Sequence, residues 1–319
     1  MSKLAFLFPG QASQYPGMGR NLAETFPESR AVFDEADAAL GFSISKLCFE
    51  GSEEELKQTE NTQPSILTVS IAAYRILEKR GIAPDFVAGH SLGEYSGLVA
   101  SGALSFPAAV KLVRKRGQYM QEAVPAGEGA MAAIMGMSPS DVFEICRKAA
   151  NGDVVSPANL NSPEQTVISG GAAAVKRAVE IASQSGAKRA VILPVSAPFH
   201  CALMAPAQKR LEPDLREAAF SVLLFPLVTN VDAEAITSGE EARDASIRQV
   251  TMPVRWLDSV HEMIESDVSI FVEVGPGKVL SGLLRQIDRS VRCFNVEDAA
   301  SLQATLDKIA QARAETLES

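Results

Sequence analysis

The chain has 319 residues, 46% of them hydrophobic and 22% charged, with a formal net charge of −9. That length buries a large core as one domain with an insertion or as two domains, and the acidic balance argues against general nucleic-acid binding. No apolar run reaches the roughly 18 residues that a membrane span needs, and the scattered Cys48, Cys146, Cys201 and Cys293 form neither a zinc-type pair nor a disulfide framework.

In chain order, "KLAFLF" reads as a first strand. The apolar run before Pro9 and Gly10 is too short for a signal peptide, so the expected location is the cytoplasm. "DFVAG" is the next strand and "LGEYSGLVASGAL" a helix after it. "SVLLFPLVTNV", "SIFVEV" and "VRCFNV" supply later strands. Strands alternating with amphipathic stretches predict an α/β class with a largely parallel sheet. From about 127 to 196 the order changes to βαββαβ, the ferredoxin-like pattern. Pro125, Ala126 and Gly127 on one side and Ala197 and Pro198 on the other mark the boundaries. The expected organisation is a large catalytic domain, 1–125 and 197–319, with a small inserted domain, 126–196, and a ligand cleft at their junction. Ser138 before Pro139, and Ser105 before Phe106 and Pro107, read as helix N-caps.

The second strand runs straight into Gly89-His90-Ser91-Leu92-Gly93. A serine between two glycines, after a strand and before a helix, is the pattern of a nucleophile elbow: the turn is so sharp that small residues must flank it. Ser91 is therefore the candidate nucleophile of an α/β-hydrolase-like core. A serine hydroxyl needs a base, and the chain has three histidines. His90 points to the opposite side from Ser91 in an extended segment. His261 falls on the apolar face of "RWLDSVHEMIES", which predicts a packed core histidine. His200, just past "RAVILPVSAPF", is the candidate base. Over a hundred residues follow it, unlike the esterase order, so a Ser-His dyad is expected, with the imidazole held by a main-chain carbonyl or an amide. Cys201 reads as a small buried hydrophobe.

The stretch "SFPAAVKLVRKRGQYMQEAV" carries a second clue. At about 100° per residue, Phe106, Ala109, Val110, Leu112, Val113, Gly117, Tyr119, Met120 and Val124 share one arc, and Lys111, Arg114, Lys115, Gln118, Gln121 and Glu122 the other. Arg116 alone breaks the pattern, inside the apolar arc. A guanidinium there needs a partner. That partner is either a core carboxylate such as Glu94 or Glu273, or a substrate carboxylate taken bidentately by the planar fork.

Seven segments, "FPGQASQYPGMG", "NTQPSILTVS", "VAGHSLGEYSGLVASG", "ANLNSPEQTVISG", "PFHCALM", "RQVTMPVRW" and "FVEVGPGKVLSGL", run in this order nearly end to end. The chain thereby resembles the malonyl-CoA:acyl-carrier-protein transacylases of type II fatty-acid synthesis and the acyltransferase domains of polyketide and fatty-acid synthases. The resemblance implies that Ser91 carries the acyl ester, with His200 as general base and then general acid. It places the main-chain N–H groups of Gln11 and Leu92 in the oxyanion hole, and has Gln249 hold the imidazole. It pairs Arg116 with the malonyl carboxylate and has Phe199 exclude an α-methyl branch. It implies ping-pong transfer from malonyl-CoA to the pantetheine thiol of holo-acyl-carrier protein, with no metal and no bound cofactor, by a monomer. Two positions depart from the family pattern: Ala12 stands where glycine is usual, a poor fit if that backbone needs a positive φ, and Gly97 replaces the usual alanine. An acidic carrier needs a basic surface, for which Lys111, Arg114, Lys115, Lys188 and Arg189 are candidates. The rival readings are a serine esterase that passes the acyl group to water and a non-catalytic carrier-binding subunit.

Overall fold

A computed structural model describes residues 3–195 and 197–318, with side chains through 312. Its strands are β1 (Lys3–Phe8), β2 (Phe86–Gly89), β3 (Gly129–Met135), β4 (Val155–Ser162), β5 (Gln165–Gly171), β6 (Arg189–Ile192), β7 (Leu227–Val228), β8 (Ala235–Ile236), β9 (Val268–Val274) and β10 (Arg292–Val296). They form two sheets, one of order β10-β9-β1-β2-β7-β8 and one of order β4-β5-β3-β6. The larger sheet is parallel except for the β7–β8 pair, an α/β arrangement as the alternation of elements predicts. Leu4 through Phe8 are buried on both faces, which is why the strand reads as an unbroken apolar run and not as an alternation.

Register places the functional loops. Phe8 pairs with Gly89, so the loop after β1 leaves the sheet beside the turn after β2. Val87 and Ala88 pair with Leu227 and Val228, so the chain beyond β7 emerges on the other side of that turn. The carboxyl ends of neighbouring parallel strands thus deliver three loops to one spot, the usual ligand position in such sheets. "SVLLFPLVTNV" is strand over Leu227–Val228 alone. Upstream of Pro226 its N–H groups go elsewhere: Ser221 and Leu224 donate to Ala103 and Ser101, and Leu223 donates to Thr237. The sequence also gave no warning of β8.

The long helix Thr59–Lys79 packs on the larger sheet, its Tyr74 ring edge-on to Phe6 and Phe8, and the helix Phe106–Glu122 packs on that helix in turn. Gly117 lets them approach: a Cβ there would stand 2.6 Å from the Cα of Glu60. Ser105 is the N-cap residue of the second helix, but its hydroxyl makes no cap bond. Ser138 does cap, accepting the Asp141 N–H.

The smaller sheet is antiparallel, with β3 paired to β5 and β6 and β4 paired to β5. Helices Pro139–Ala150 and Ala172–Gln184 cover it, enclosing a separate apolar cluster that includes Ile134, Val142, Ile168 and Val175. Its β4 edge is tied to the rest of the chain by a short parallel bridge, in which Leu160 donates to Val254 and Val254 to Ala158.

His261 departs from expectation. The helix Trp256–Glu265 buries Trp256, Ser259, Val260 and Met263, an arc one residue ahead of the one read from the sequence, and His261 is exposed.

Candidate active site

After β2 the chain reverses at Ser91, whose φ is 52°, and enters the helix Gly93–Ala100. The turn tolerates no bulk: a Cβ on Gly89 would lie 1.9 Å from the carbonyl carbon of Gly93, and one on Gly93 2.0 Å from the oxygen of Phe8. A left-handed conformation costs an L-residue about 1–2 kcal/mol, so something must hold Ser91 there. Asn230 provides that hold. Its Oδ1 accepts the Ser91 N–H at 2.7 Å, its Nδ2 donates to the Gly89 carbonyl at 2.7 Å, and its own N–H donates to Glu94 Oε2 at 2.6 Å.

Ser91 Oγ lies 2.7 Å from His200 Nε2, and His200 Nδ1 lies 2.8 Å from the main-chain oxygen of Gln249. A carbonyl can only accept, so the proton sits on Nδ1 and the Nε2 lone pair faces the serine hydroxyl, the tautomer a general base requires. Burial, with the Arg116 charge second, pushes the His200 pKa down to about 3, so the imidazole is neutral across the physiological range. The group holding His200 is the Gln249 main chain. The Gln249 side chain is engaged otherwise: Nε2 donates to Ser91 O and Asn230 Oδ1, and Oε1 accepts from Arg116.

Arg116 is 1% exposed, as its place in the apolar arc predicts. Its Nη1 donates to Gln63 Oε1 at 2.7 Å, and its Nη2 to Gln249 Oε1 at 2.9 Å and to Ser91 Oγ at 3.2 Å, while Nε has no hydrogen-bond partner among the described residues. The structural ion-pair alternative fails, because neither carboxylate reaches it. Glu273 instead caps the helix Val279–Ile287 through the N–H groups of Leu280 and Ser281 and the Ser281 hydroxyl. Glu94 receives the Asn230 N–H, and burial raises its pKa to about 7. Arg116 is thus a buried cation solvated by amide oxygens, the Ser91 hydroxyl and the face of Tyr95 at 5.6 Å. Such a site can bind a carboxylate strongly.

The loop after β1 comes within contact of the elbow; a Cβ on Gly10 would meet the His90 oxygen at 2.4 Å. Ala12 has φ 80°, so the position does take the conformation that suits glycine. Its N–H is taken by Gln14 Oε1 at 2.8 Å, and the Ser91 N–H by Asn230. Among the described residues, the main-chain N–H groups of Gln11 and Leu92 donate to no acceptor, so each of the two loops at Ser91 keeps a free donor. The Gln11 side chain is anchored by Thr59, whose hydroxyl donates to Oε1 at 2.8 Å.

His90 turns away from Ser91, placing Nε2 2.8 Å from Asn161 Oδ1 on β4 and its ring against Trp256. Cys201 is buried, its thiol donating to the Pro198 carbonyl, and burial raises its pKa. Phe199 is buried within the main core. Gly97 accommodates Leu227, whose Cδ1 would lie 2.8 Å from an alanine Cβ. Of the basic candidates, Arg114 pairs with Glu60, Lys115 with Asp214 and Lys188 with Glu164, while Lys111 and Arg189 are exposed. Among the described residues no group of three or more His, Cys, Asp or Glu is placed to hold a metal ion, and no helix is long and apolar enough to cross a membrane.

The sequence reading missed Gln63 and Asn230, both fully buried. The test that singled out Arg116, a polar side chain inside an apolar run, applies to them as well: Asn230 ends the apolar stretch "LLFPLVTN" and Gln63 precedes "PSILTVSIAA".

A serine in a left-handed turn, bonded to a neutral histidine and a buried arginine, is an arrangement suited to acyl transfer. The chain belongs to the acyl transferase domain family, whose model matches residues 5–313. It is 48% identical over 310 residues to the malonyl CoA-acyl carrier protein transacylase of Bacillus subtilis, covering 97% of this chain and 98% of that one. It is 46% identical over 308 residues to the protein of the same description from Escherichia coli K12, covering 96% and 100%. Among solved structures, an acyl carrier protein S-malonyltransferase from Vibrio cholerae superposes with a TM-score of 0.93 at 46% identity, covering 95% of this chain and 100% of that one. A malonyl-transacylase in complex with its type II PKS acyl-carrier protein gives 0.94 at 44% identity, covering 96% and 100%.

Proposed function

We propose that this chain transfers the malonyl group from malonyl-CoA to the phosphopantetheine thiol of holo-acyl-carrier protein, by a ping-pong route through a malonyl ester on Ser91. The observation that carries this reading is the placement of Ser91 Oγ between a neutral imidazole and a buried guanidinium that, among the described residues, forms no ion pair with a carboxylate. Relatives at nearly half identity that bear the malonyl transacylase description support the substrate.

In the first half-reaction His200 Nε2 takes the Ser91 proton as Oγ bonds to the thioester carbonyl carbon. The Gln11 and Leu92 N–H groups receive the oxyanion. The C–S bond then breaks and coenzyme A leaves as the thiol with the proton from His200. In the second half the pantetheine thiol gives its proton to His200, sulfur attacks the ester carbonyl, and Ser91 leaves with that proton. Throughout, Arg116 holds the malonyl carboxylate as a bidentate pair, with Gln63 and Gln249 fixing the plane of the guanidinium. The buried Phe199 leaves no room for an α-methyl branch. The chemistry uses no metal or bound cofactor beyond the two thiol-bearing substrates.

We read the larger sheet as an α/β-hydrolase-like core, 1–125 and 197–319, and 126–196 as a ferredoxin-like insertion whose strand order β4-β5-β3-β6 fits that type. The working form is a cytoplasmic monomer that meets its carrier transiently. The test is the fate of the acyl group. Enzyme loaded with malonyl-CoA and freed of excess substrate should pass malonyl to holo-carrier protein within seconds and hold it without the carrier. Free malonate appearing at the same rate with and without carrier would instead make the chain a hydrolase.

A further inference from the structure

We propose that Asn230 is a positioning residue for acyl transfer, locking Ser91 into its left-handed turn and reserving the Leu92 N–H as the donor on that loop. The proposal rests on the acyl-transfer reading above. It starts from the main-chain groups of the elbow. Ser91 offers its N–H and its carbonyl, and side chains distant in the chain bond both: Asn230 Oδ1 takes the N–H, and Gln249 Nε2 donates to the carbonyl, which also accepts the local Glu94 N–H. Asn230 also grips the strand end through the Gly89 carbonyl, so one amide spans both sides of the reversal. The Asn230 N–H in turn donates to Glu94, in the first turn of the elbow helix. Strand end, nucleophile and helix start are therefore fastened to one residue, fully buried and out of competition with water.

Two consequences follow for the reaction. Rotation of Ser91 about its backbone would carry Oγ away from His200 Nε2, and the two bonds on either side of it resist that rotation. The Ser91 N–H is also consumed, so an oxyanion beside Oγ finds the next N–H, that of Leu92. Asn230 touches no substrate atom in this scheme and acts through Ser91.

The experiment compares wild type, Asn230→Ala and Asn230→Asp by malonyl loading and by the rate at which a fluorophosphonate probe labels Ser91, a reaction that needs the activated serine but no malonyl recognition. Asn230→Ala should lower kcat and the labelling rate at least about 100-fold, the scale of a misplaced nucleophile. KM for malonyl-CoA should stay within about threefold. Asn230→Asp keeps the oxygen that accepts the Ser91 N–H and replaces the donor to Gly89 with a second oxygen, so it should recover about tenfold of the labelling rate lost in Asn230→Ala. Unchanged labelling in folded variants would overturn the proposal, as would a parallel change in KM and kcat with no recovery in Asn230→Asp. A wild type that labels at Ser91 but does not load malonyl would sink the substrate reading and leave the Asn230 comparison decisive. A wild type that does neither would remove the nucleophile and the proposal together.

Discussion

The two sheets of this chain are made of similar strands and helices, yet they differ in what they bury. The four-stranded sheet encloses an apolar cluster of Ala, Val, Ile and Cys side chains, contributed by elements that follow one another within some seventy residues. The six-stranded sheet gathers Gln63, Ser91, Glu94, Arg116, His200, Asn230 and Gln249 at the carboxyl ends of its strands, all but Ser91 nearly or fully buried. A buried polar group is costly unless its partners are in place. In the larger sheet most of the partners are each other, Arg116 Nε and Glu94 Oε1 being left without one among the described residues, so positioning and stability rest on the same bonds. The small sheet buries polar side chains too, among them Asn161, Ser162, Thr166 and Ser169, and Asn161 reaches the elbow through His90, but they are fewer and carry no charge.

That contrast is sharpest at Arg116. Arg116→Ala should reduce malonyl loading by about 100-fold or more, within the range for removing one partner of a buried charge pair. Acetyl loading should fall far less, because acetyl has no carboxylate to lose. Equal losses with both acyl groups would make Arg116 a structural cation like any other.

Gln249→Ala separates main chain from side chain. It leaves the carbonyl that orients His200 and removes the bonds to Arg116 and Ser91. A loss of about tenfold is expected, in proportion to one or two hydrogen bonds. A loss as deep as that of His200→Ala would mean that the imidazole depends on the side chain.

Acid tests the burial of the base. The His200 pKa is lowered, so its neutral form is favoured by the fold; the stability this contributes is complete above about 6.5 and declines as pH drops toward about 3. Loading between pH 8 and 5 should vary by no more than about twofold, where an imidazole of ordinary pKa would lose roughly 30-fold by pH 5. Protonation of Glu94 within that range leaves an oxygen to accept the Asn230 N–H. A midpoint near 6.5 in the loading profile would show that the base is solvated.

The smallest effect is expected at Ala12. With φ at 80°, Ala12→Gly should stabilise the fold by about 1 kcal/mol, the left-handed penalty removed, and raise the thermal midpoint without slowing loading. A lower midpoint would mean that the alanine is matched to its loop.

How much of this was legible in the sequence follows from the same contrast. The small sheet, its two helices and the Ser138 cap were readable because each rests on spacing within a few residues. Ser91, Arg116 and His200 stood out as candidates by different signals: a serine between glycines at a strand end, a cation on an apolar arc, and an elimination among three histidines whose step for His261 assumed a burial the structure does not show. Asn230 and Gln63 carry the signal of Arg116 more quietly, since a neutral amide at the edge of an apolar run resembles an ordinary strand or helix end. The Gln249 main-chain contact had no local signal at all, because every residue carries a carbonyl. His261 was misread because a ten-residue helix leaves the centre of its apolar arc uncertain by one position.

The central claim is that one serine, flanked by one buried base and one buried cation, takes up a malonyl group. Intact-protein mass after brief mixing with malonyl-CoA and no acceptor tests it directly, run beside Ser91→Ala and an acetyl-CoA control. One malonyl adduct on the wild type, absent from Ser91→Ala and far above the acetyl level, is the predicted result. No adduct on the wild type, or an adduct that survives Ser91→Ala, would contradict the account.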